Sequence, residues 1–316
     1  MRTKSVDLGN LMQRTLKNPI SCSGVGLHSG AHIKLSLHPA DINTGIVFEC
    51  LHAASGHGFI PVTHDCVVDR QLCTKIGNSH GASIATVEHL MAALRGMQID
   101  NVLVRVDGPE IPAMDGSSSP FVFLIECAGI IEQNAPRKVI KIHETIRYKD
   151  EERSAVLSPA EGFFIDFEIH FPTKQIAHQH FGIQITEETF KYEISRARTF
   201  GFLQDVEYLR SIGLAQGGSL ENAIVISNGK VMNDGGLRYK DEFVRHKVLD
   251  SVGDLYMAGY QIEGHLWAYK AGHEVNSALL QELFANPDSW SLEEAVERDD
   301  KVAATSVPVT KLVGVA

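Results

Sequence analysis

The chain has 316 residues, 44% of them hydrophobic, which is enough to bury a sizeable core and excludes disorder as the dominant state. With 29 Lys and Arg against 39 Asp and Glu, its net charge of -10 argues against a protein that coats nucleic acid or an anionic membrane. The length exceeds what one hydrophobic core usually organises, so we expect two domains.

The cysteines and the hydropathy pattern indicate the compartment. The 5 cysteines include no CxxC pair, which argues against a structural zinc knuckle or a redox dithiol, and a sparse, odd set fits a reducing compartment. The N-terminal residues lack the apolar region of a signal peptide, and no stretch reaches the roughly 18 apolar residues of a transmembrane helix. We therefore expect a cytoplasmic protein without an integral membrane segment.

A weak internal repeat links residues 34–48 (KLSLHPADINTGIVF) with residues 154–167 (SAVLSPAEGFFIDF). Each segment combines alternating apolar and polar residues, a Pro-Ala-acidic turn, and a second apolar run rich in β-branched or aromatic side chains. This pattern predicts a strand, a turn and a second strand. Two similar domains are the simplest interpretation of the repeat.

Each half also carries an amphipathic helical pattern. Apolar residues recur at helical intervals in both halves, at Val87, Leu90, Met91 and Leu94 and at Val244, Val248, Leu249 and Val252. Thr86 is placed to cap the first helix. A polar run at residues 133–136 ends in proline and precedes a strand predicted over residues 139–148. We therefore place the linker there and the two domains at residues 1–133 and 134–316.

The second half is longer than the first between its turn and its helix, which indicates an insertion. Its expected site is residues 199–228, where apolar and aromatic residues precede a Gly-rich turn and an apolar strand. An apolar insertion beside a site can bind an apolar ligand, and it can equally supply extra core packing. Both interpretations stay open at this point.

The polar residues of the two predicted helices suggest a metal site. His246, Asp250 and Asp254 are spaced i, i+4 and i+8, so they form one row along the second helix. The first helix begins with Glu88 and His89, and a carboxylate beside a metal-binding histidine can accept a proton from metal-bound water. His89, His246 and Asp250 would leave one position of a tetrahedral zinc ion open for water, as in catalytic rather than structural sites.

Each of these patterns has an alternative interpretation. A single HxxxD spacing is more often a solvated polar face of a helix than a metal site. Gly272 before His273, after an apolar strand, suits a side chain presented to a cleft, but a chain with 15 histidines contains incidental pairs of this kind. A competing metal cluster, His170, His178 and His180, lies in a polar stretch that we interpret as a solvated loop.

Several segments, in the right order, resemble the motifs of one enzyme family, the bacterial UDP-3-O-acyl-N-acetylglucosamine deacetylases of lipid A synthesis. The likeness runs from about residue 13 to residue 286. The segments are GVGLHSG (24–30), ATVEHLMAAL (85–94), PEIPAMDG (109–116), SRARTFG (195–201), FVRHKVLD (243–250) and AGH (271–273). The family often has serine where this chain has Ala271, and the residues before about Met12 extend past the usual start.

The resemblance implies an α+β fold of two similar two-layer α/β sandwich domains with the active site between them. It implies a zinc-dependent amidohydrolase that removes the acetyl group of UDP-3-O-(3-hydroxyacyl)-N-acetylglucosamine, with one Zn²⁺ per chain. By the same carry-over, His89, His246 and Asp250 match the zinc ligands, Glu88 the general base and His273 the acid or electrophilic partner. The further active-site positions that match are Thr199, Lys247 and Asp254.

The resemblance also assigns the predicted insertion to a passage for the fatty acyl chain. The matching positions in it are Phe200, Leu203, Val206, Ala215, Gly218 and Ser219. Leu72 and Cys73 fall where the family places residues near the site, although a packing role for Cys73 is the simpler interpretation. The partner implied is a small acylated UDP-sugar. Two rival functions stay open, a zinc deacetylase of another acetamido sugar and a noncatalytic sugar-nucleotide binding protein.

Overall fold

A computed structural model of the chain describes residues 11–171 and 176–295. The elements of the first half are β1 (Met12–Leu16), β2 (Ile20–Val25), β3 (His32–Pro39), β4 (Ile46–Cys50), β5 (Phe59–Pro61), β6 (Val67–Asp69), β7 (Lys75–Gly77), β8 (Ser83–Ile84), α1 (Glu88–Gly96), β9 (Val102–Val106), α2 (Ser119–Ala128) and β10 (Ile130–Pro136).

The main sheet of the first half has the strand order β2-β3-β9-β4-β5. Its neighbouring strands are antiparallel, except that β4 and β9 run parallel. Apolar residues alternate along β3, so Ile33, Leu35 and Leu37 are buried while the residues between them point to the opposite face. Smaller sheets form from β6, β7 and β8 and from β1 with β10.

The second half contains β11 (Lys138–Ile142), β12 (Ile146–Lys149), β13 (Ser154–Ser158), β14 (Phe163–His170), β15 (His178–Gln184), α3 (Glu187–Thr189), β16 (Phe200–Phe202), α4 (Leu203–Ser211), β17 (Ile224–Ser227), β18 (Lys230–Val231), α5 (Glu242–Leu255), β19 (Gln261–Tyr269), α6 (His273–Ala285) and β20 (Trp290–Glu294). A π-helical turn follows α3 (Phe190–Ile194), and 3-10 turns follow α5 (Tyr256–Ala258) and α6 (Pro287–Ser289).

The two halves share one topology. Five strands of the second half pair in the order β12-β13-β19-β14-β15, and the pair β14–β19 is parallel, as β4–β9 is in the first half. One helix precedes the central strand of each sheet (α1 before β9, α5 before β19), and one follows it (α2 and α6). The predicted repeat and the α+β fold of two similar domains are therefore confirmed. Strands β11 and β20 extend the second sheet.

Helices α1 and α5 pack against each other where the two halves meet. Every residue of α1 is buried, and so are nearly all residues of α5. The contact is tight at Gly253, where an added Cβ would lie 2.0 Å from the carbonyl oxygen of Glu88. Only glycine allows this approach, because any larger side chain would push the two helices apart.

The insertion predicted at residues 199–228 forms a small unit of its own. Strands β16, β17 and β18 make a three-stranded sheet, and α4 connects the first two of them. Strands β16 and β17 are parallel, so a crossover such as α4 is required between them. The corresponding place in the first half holds the small sheet of β6, β7 and β8, which the sequence did not indicate.

Three local expectations differ from the structure. Residues 133–136, expected to be an open linker, form the end of β10. Their backbone pairs with β1 in a two-stranded sheet. Residues 139–148 fall into two strands, β11 and β12. Thr86 does not cap α1: it has φ +57°, and its hydroxyl donates to Glu110 Oε2 at 3.1 Å.

The division into domains at residues 133 and 134 stays a prediction. Three parts of the predicted domains lie outside the described residues: 1–10, 172–175 and 296–316. The expectations about the N-terminus therefore fall outside the described residues as well. Within the described ranges, no helix is both long and apolar enough to cross a membrane.

Candidate metal centre and active site

Three side chains from the two halves converge where α1 meets α5. His89 lies in the first turn of α1, and His246 and Asp250 lie one turn apart on α5. Asp250 Oδ1 is 3.6 Å from His89 Nε2 and 3.2 Å from His246 Nε2, and all three residues are buried. Among the residues that the structure describes, these three side chains form the one group whose ligand atoms lie close enough together to share a metal ion.

The surroundings of these side chains suit metal binding. His246 Nδ1 donates to the Ala197 carbonyl at 3.0 Å, which leaves the lone pair of Nε2 free for a metal. Burial lowers the pKa of His246 to about 3, so its imidazole is neutral. Burial alone would raise the pKa of Asp250, but the neighbouring Lys247 ammonium outweighs burial and holds it well below its usual range. Its Oδ1 is buried without a hydrogen-bond partner, as an atom reserved for a cation would be.

Glu88 lies beside this group, one residue before His89 on α1. Its side chain is buried, and its Oε2 accepts a hydrogen bond from the Thr74 backbone N–H at 3.0 Å. Burial raises the pKa of Glu88 above its ordinary value, although nearby His273 and His89 act against this shift. A carboxyl group with a raised pKa is suited to taking up a proton near neutral pH.

His273 is the first residue of α6, and Asp254 is its partner. Asp254 lies one turn beyond Asp250 on α5, and its Oδ2 is 2.8 Å from His273 Nδ1. Burial alone would lower the pKa of His273, but the charge and hydrogen bond of Asp254 outweigh burial and raise it to about 9. The imidazole is therefore a cation at neutral pH. The predicted row His246, Asp250 and Asp254 thus faces one site.

Lys247 is a further charged side chain of the site. Its ammonium donates to Asp250 Oδ2 at 2.9 Å and lies 5.8 Å from the centre of the Phe200 ring. Burial would lower the pKa of Lys247, but Asp250 raises it, so the side chain stays charged. Asp250 thus offers one oxygen to Lys247 and the other to the candidate metal position.

Thr199, a predicted active-site position, and the predicted acyl-passage residues lie between α1 and α5 along the chain. Thr199 is half-buried, and its carbonyl accepts from the Ile224 N–H at 2.8 Å. The Phe200 ring lies 6.3 Å from that of His246. The other predicted positions lie on α4 or in the turn after it, half-buried (Leu203, Val206, Gly218), buried (Ala215) or exposed (Ser219). Their roles, and the catalytic roles above, stay predictions.

Leu72 and Cys73 lie before β7, near Glu88. Leu72 is exposed and has φ +66°, whereas Cys73 is buried. Burial, aided by the charge of Glu88, raises the pKa of Cys73 to about 12. Cys73 is therefore a neutral thiol, which fits the predicted packing role better than metal ligation.

The competing histidine cluster is solvated, but it is not a loop. His170 ends β14, and His178 and His180 lie on the edge strand β15, where a polar alternating sequence pairs as a hairpin. His178 Nε2 is 2.7 Å from Glu168 Oε1, and His180 Nε2 is 3.0 Å from Asp166 Oδ1. His178 and His180 thus pair with carboxylates of the neighbouring strand, and within the described residues the three histidines do not converge on one metal position.

Several residues around the site were not predicted from the sequence. The Thr74 hydroxyl donates to Asp254 Oδ1 at 2.6 Å, and Asn276 Nδ2 donates to Asp254 Oδ2 at 2.9 Å. Buried Glu110 accepts from the backbone N–H groups of His28 and Ser29, which fixes the loop of the GVGLHSG segment. Glu110 lies in the segment PEIPAMDG (109–116), so the resemblance to the family could have indicated it. Thr74 and Asn276 carried no signal, because only tertiary packing brings them to Asp254.

The pairing of Asp254 with His273 yields a test. Replacing Asp254→Asn removes the largest influence that raises the pKa of His273 and leaves the burial that lowers it, so we expect this pKa to fall well below 9, although the charges of Glu88 and Asp250 remain. In the wild type, the stability gained from this pair is complete below about pH 6.5 and is lost as pH rises through about 9. Imidazole NMR titration of metal-free protein measures the pKa.

The matched control is Asp288→Asn, a substitution at an exposed turn residue. It should leave the His273 titration unchanged. A His273 pKa that stays near 9 in Asp254→Asn would show that Asp254 does not control the charge of this imidazole.

Comparison with known proteins places the chain in one family. A model of the family described as UDP-3-O-acyl N-acetylglycosamine deacetylase matches residues 13–285. The UDP-3-O-acyl-N-acetylglucosamine deacetylase of Pasteurella multocida is 49% identical over 295 residues, 93% of this chain and 95% of that protein. The deacetylase of the same name from Haemophilus influenzae is 49% identical over 293 residues, 92% of this chain and 95% of that protein. The one from Shewanella oneidensis is 46% identical over 300 residues, 94% of this chain and 98% of that protein. The chain therefore belongs to the UDP-3-O-acyl N-acetylglycosamine deacetylase family.

Proposed function

We propose that this chain hydrolyses the N-acetyl group of UDP-3-O-(3-hydroxyacyl)-N-acetylglucosamine to the free amine and acetate, the committed step of lipid A biosynthesis. The observation that carries this proposal is the buried group His89, His246 and Asp250, with the Glu88 carboxyl and the cationic His273 beside it. A noncatalytic binding protein would have no need of a base and an acid next to a metal position.

Zinc is the metal that these ligands suit. Two imidazole nitrogens and one carboxylate oxygen are a common catalytic zinc donor set. A zinc ion held there would lower the pKa of a water molecule and polarise the acetamide carbonyl. The neutral His246 and the ionised Asp250 already have the protonation states that ligation requires.

The other side chains divide the proton transfers between them. Glu88 removes a proton from the attacking water, because its carboxyl is buried, adjacent to the ligands and raised in pKa. His273, held as a cation by Asp254, stabilises the negative charge that develops on the carbonyl oxygen and then donates a proton to the departing amine. The Thr199 hydroxyl adds a hydrogen bond to the same oxygen. Lys247 and Asp254 position and tune the groups that they contact.

A basic cavity beside the site fits the diphosphate of the nucleotide. It has a volume of about 430 Å³ and is reached from the metal group through Lys247. Lys270, Arg153 and Glu152 also line it, as do the Phe171 ring and His170, so the three cations of Lys247, Lys270 and Arg153 outnumber the one carboxylate. In a chain with a net charge of -10, such a local group of cations is what an anionic substrate requires. Phe171 offers an apolar face to the base.

The small unit of β16, α4, β17 and β18 would hold the acyl chain. It lies next to the site, because the Phe200 ring is within 6.3 Å of the His246 ring, and Leu203 and Val206 are only half-buried. Apolar side chains that their own fold leaves partly exposed are available to an apolar ligand.

A cytoplasmic location completes the proposal, since all 5 cysteines are free thiols.

Replacing Glu88→Gln tests the assignment of the base. The amide has nearly the same shape but cannot take up a proton, so we expect kcat to fall about 100-fold or more while the zinc content stays unchanged. Turnover is measured by acetate release, and zinc by elemental analysis. Near-normal turnover in a zinc-loaded variant would remove Glu88 from the role of base.

The acyl chain tests the choice of substrate. If the unit around α4 binds it, the acylated UDP-sugar should be processed with a kcat/KM at least about 100-fold above that of UDP-N-acetylglucosamine, because binding energy from the chain is used to align the acetamide group. Steady-state assays of both compounds decide this. Equal values would favour a deacetylase of another acetamido sugar.

A further inference from the structure

The residue Thr74 contacts both proposed proton-transfer groups of the site. It is buried, with 3% of its surface exposed, and directly precedes β7. Its backbone N–H donates to Glu88 Oε2 at 3.0 Å, and its hydroxyl donates to Asp254 Oδ1 at 2.6 Å. The same hydroxyl oxygen lies 3.3 Å from His273 Nδ1.

We propose that Thr74 is a positioning residue that fixes the His273–Asp254 pair relative to Glu88. This inference rests on the proposed function, in which Glu88 is the base and His273 the acid. These groups lie on three different helices, α1, α5 and α6, and Thr74 belongs to none of them. A single residue therefore sets the spacing of the two proton-transfer groups across the boundary between the halves.

The segment that carries Thr74 is itself held on both sides. The Thr74 carbonyl accepts from the Val87 N–H at 3.2 Å, next to Glu88. Four residues earlier, Arg70 Nε donates to Ser277 Oγ on α6 at 2.5 Å. Residues 70–74 thus bridge α1 in the first half and α6 in the second. Because both ends are fixed, movement of Thr74 away from either partner is restricted.

The hydroxyl acts by fixing the plane of the Asp254 carboxylate. Asp254 Oδ2 is 2.8 Å from His273 Nδ1 and accepts from Asn276 Nδ2 at 2.9 Å, while Oδ1 accepts from Thr74. The terminal torsion of an aspartate is broad and has no strong intrinsic preference. With donors on both oxygens the carboxylate holds one orientation, and the His273 ring follows it. Loss of the Oδ1 donor leaves a buried oxygen unsatisfied and the carboxylate able to turn.

Replacing Thr74→Val tests this role, because valine keeps the branched shape and the backbone N–H but has no hydroxyl. We expect kcat on the acylated UDP-sugar to fall about 10-fold to 100-fold, with KM within about twofold and the metal content unchanged. Thr74→Ser, which restores the hydroxyl, should recover most of kcat. In ¹⁵N-labelled protein, the hydrogen-bonded Nδ1 proton signal of His273 should shift or broaden in Thr74→Val.

The matched control is Thr15→Val. Thr15 is also 3% exposed, lies in β1 of the first half, and its hydroxyl oxygen accepts from the Ala40 N–H at 3.0 Å. It should change neither kcat nor the His273 signal. An unchanged kcat and His273 signal in Thr74→Val, or a serine variant as impaired as the valine variant, would overturn the inference. The NMR signal decides the role of Thr74 even if the wild type does not release acetate, a result that would instead reject the proposed function.

Discussion

The close packing of α1 on α5 is the constraint on which the site depends. His89 comes from α1, and His246 and Asp250 come from α5, so their spacing is set by the distance between the two helices. That distance is short because Gly253 has no side chain to collide with the Glu88 carbonyl. An added methyl group in such a contact typically costs about 1–3 kcal/mol and displaces the backbone. The duplicated topology therefore matters for function, since each half supplies one of the two helices.

Electrostatic pairing explains why so many charges can be buried together. Glu88, Asp250 and Asp254 are balanced by Lys247 and by the His273 cation, and a divalent metal ion would add the remaining positive charge. The carboxylate oxygens have distinct partners, since Asp250 faces Lys247 with one oxygen, and Asp254 binds Thr74 with one and His273 with the other. Buried ions of this kind are tolerated only when they are paired and hydrogen-bonded.

The sequence revealed the periodic parts of this design and missed the parts made by tertiary contact. The repeated strand-turn-strand segments and the two amphipathic helices follow from apolar spacing, and the row of His246, Asp250 and Asp254 follows from helical geometry. The prediction that Thr86 caps α1 was wrong, because its hydroxyl donates to Glu110, 24 positions away, and does not bind the start of the helix. The polar run at residues 133–136 was not recognised as part of a strand, because its strand partner, β1, lies at the other end of the half. Thr74 and Asn276 reach Asp254 only after folding, so no local pattern indicates them.

The metal content of two purified proteins shows whether a metal ion is held where α1 meets α5. We expect about one zinc ion per chain in the wild type. We expect essentially none in a variant that combines His246→Gln with Asp250→Asn and keeps the wild-type fold by circular dichroism, because His89 alone cannot hold the ion. Elemental analysis after dialysis against a weak chelator gives both values. Equal zinc content in the two proteins would contradict the assignment of the metal to the junction of α1 and α5.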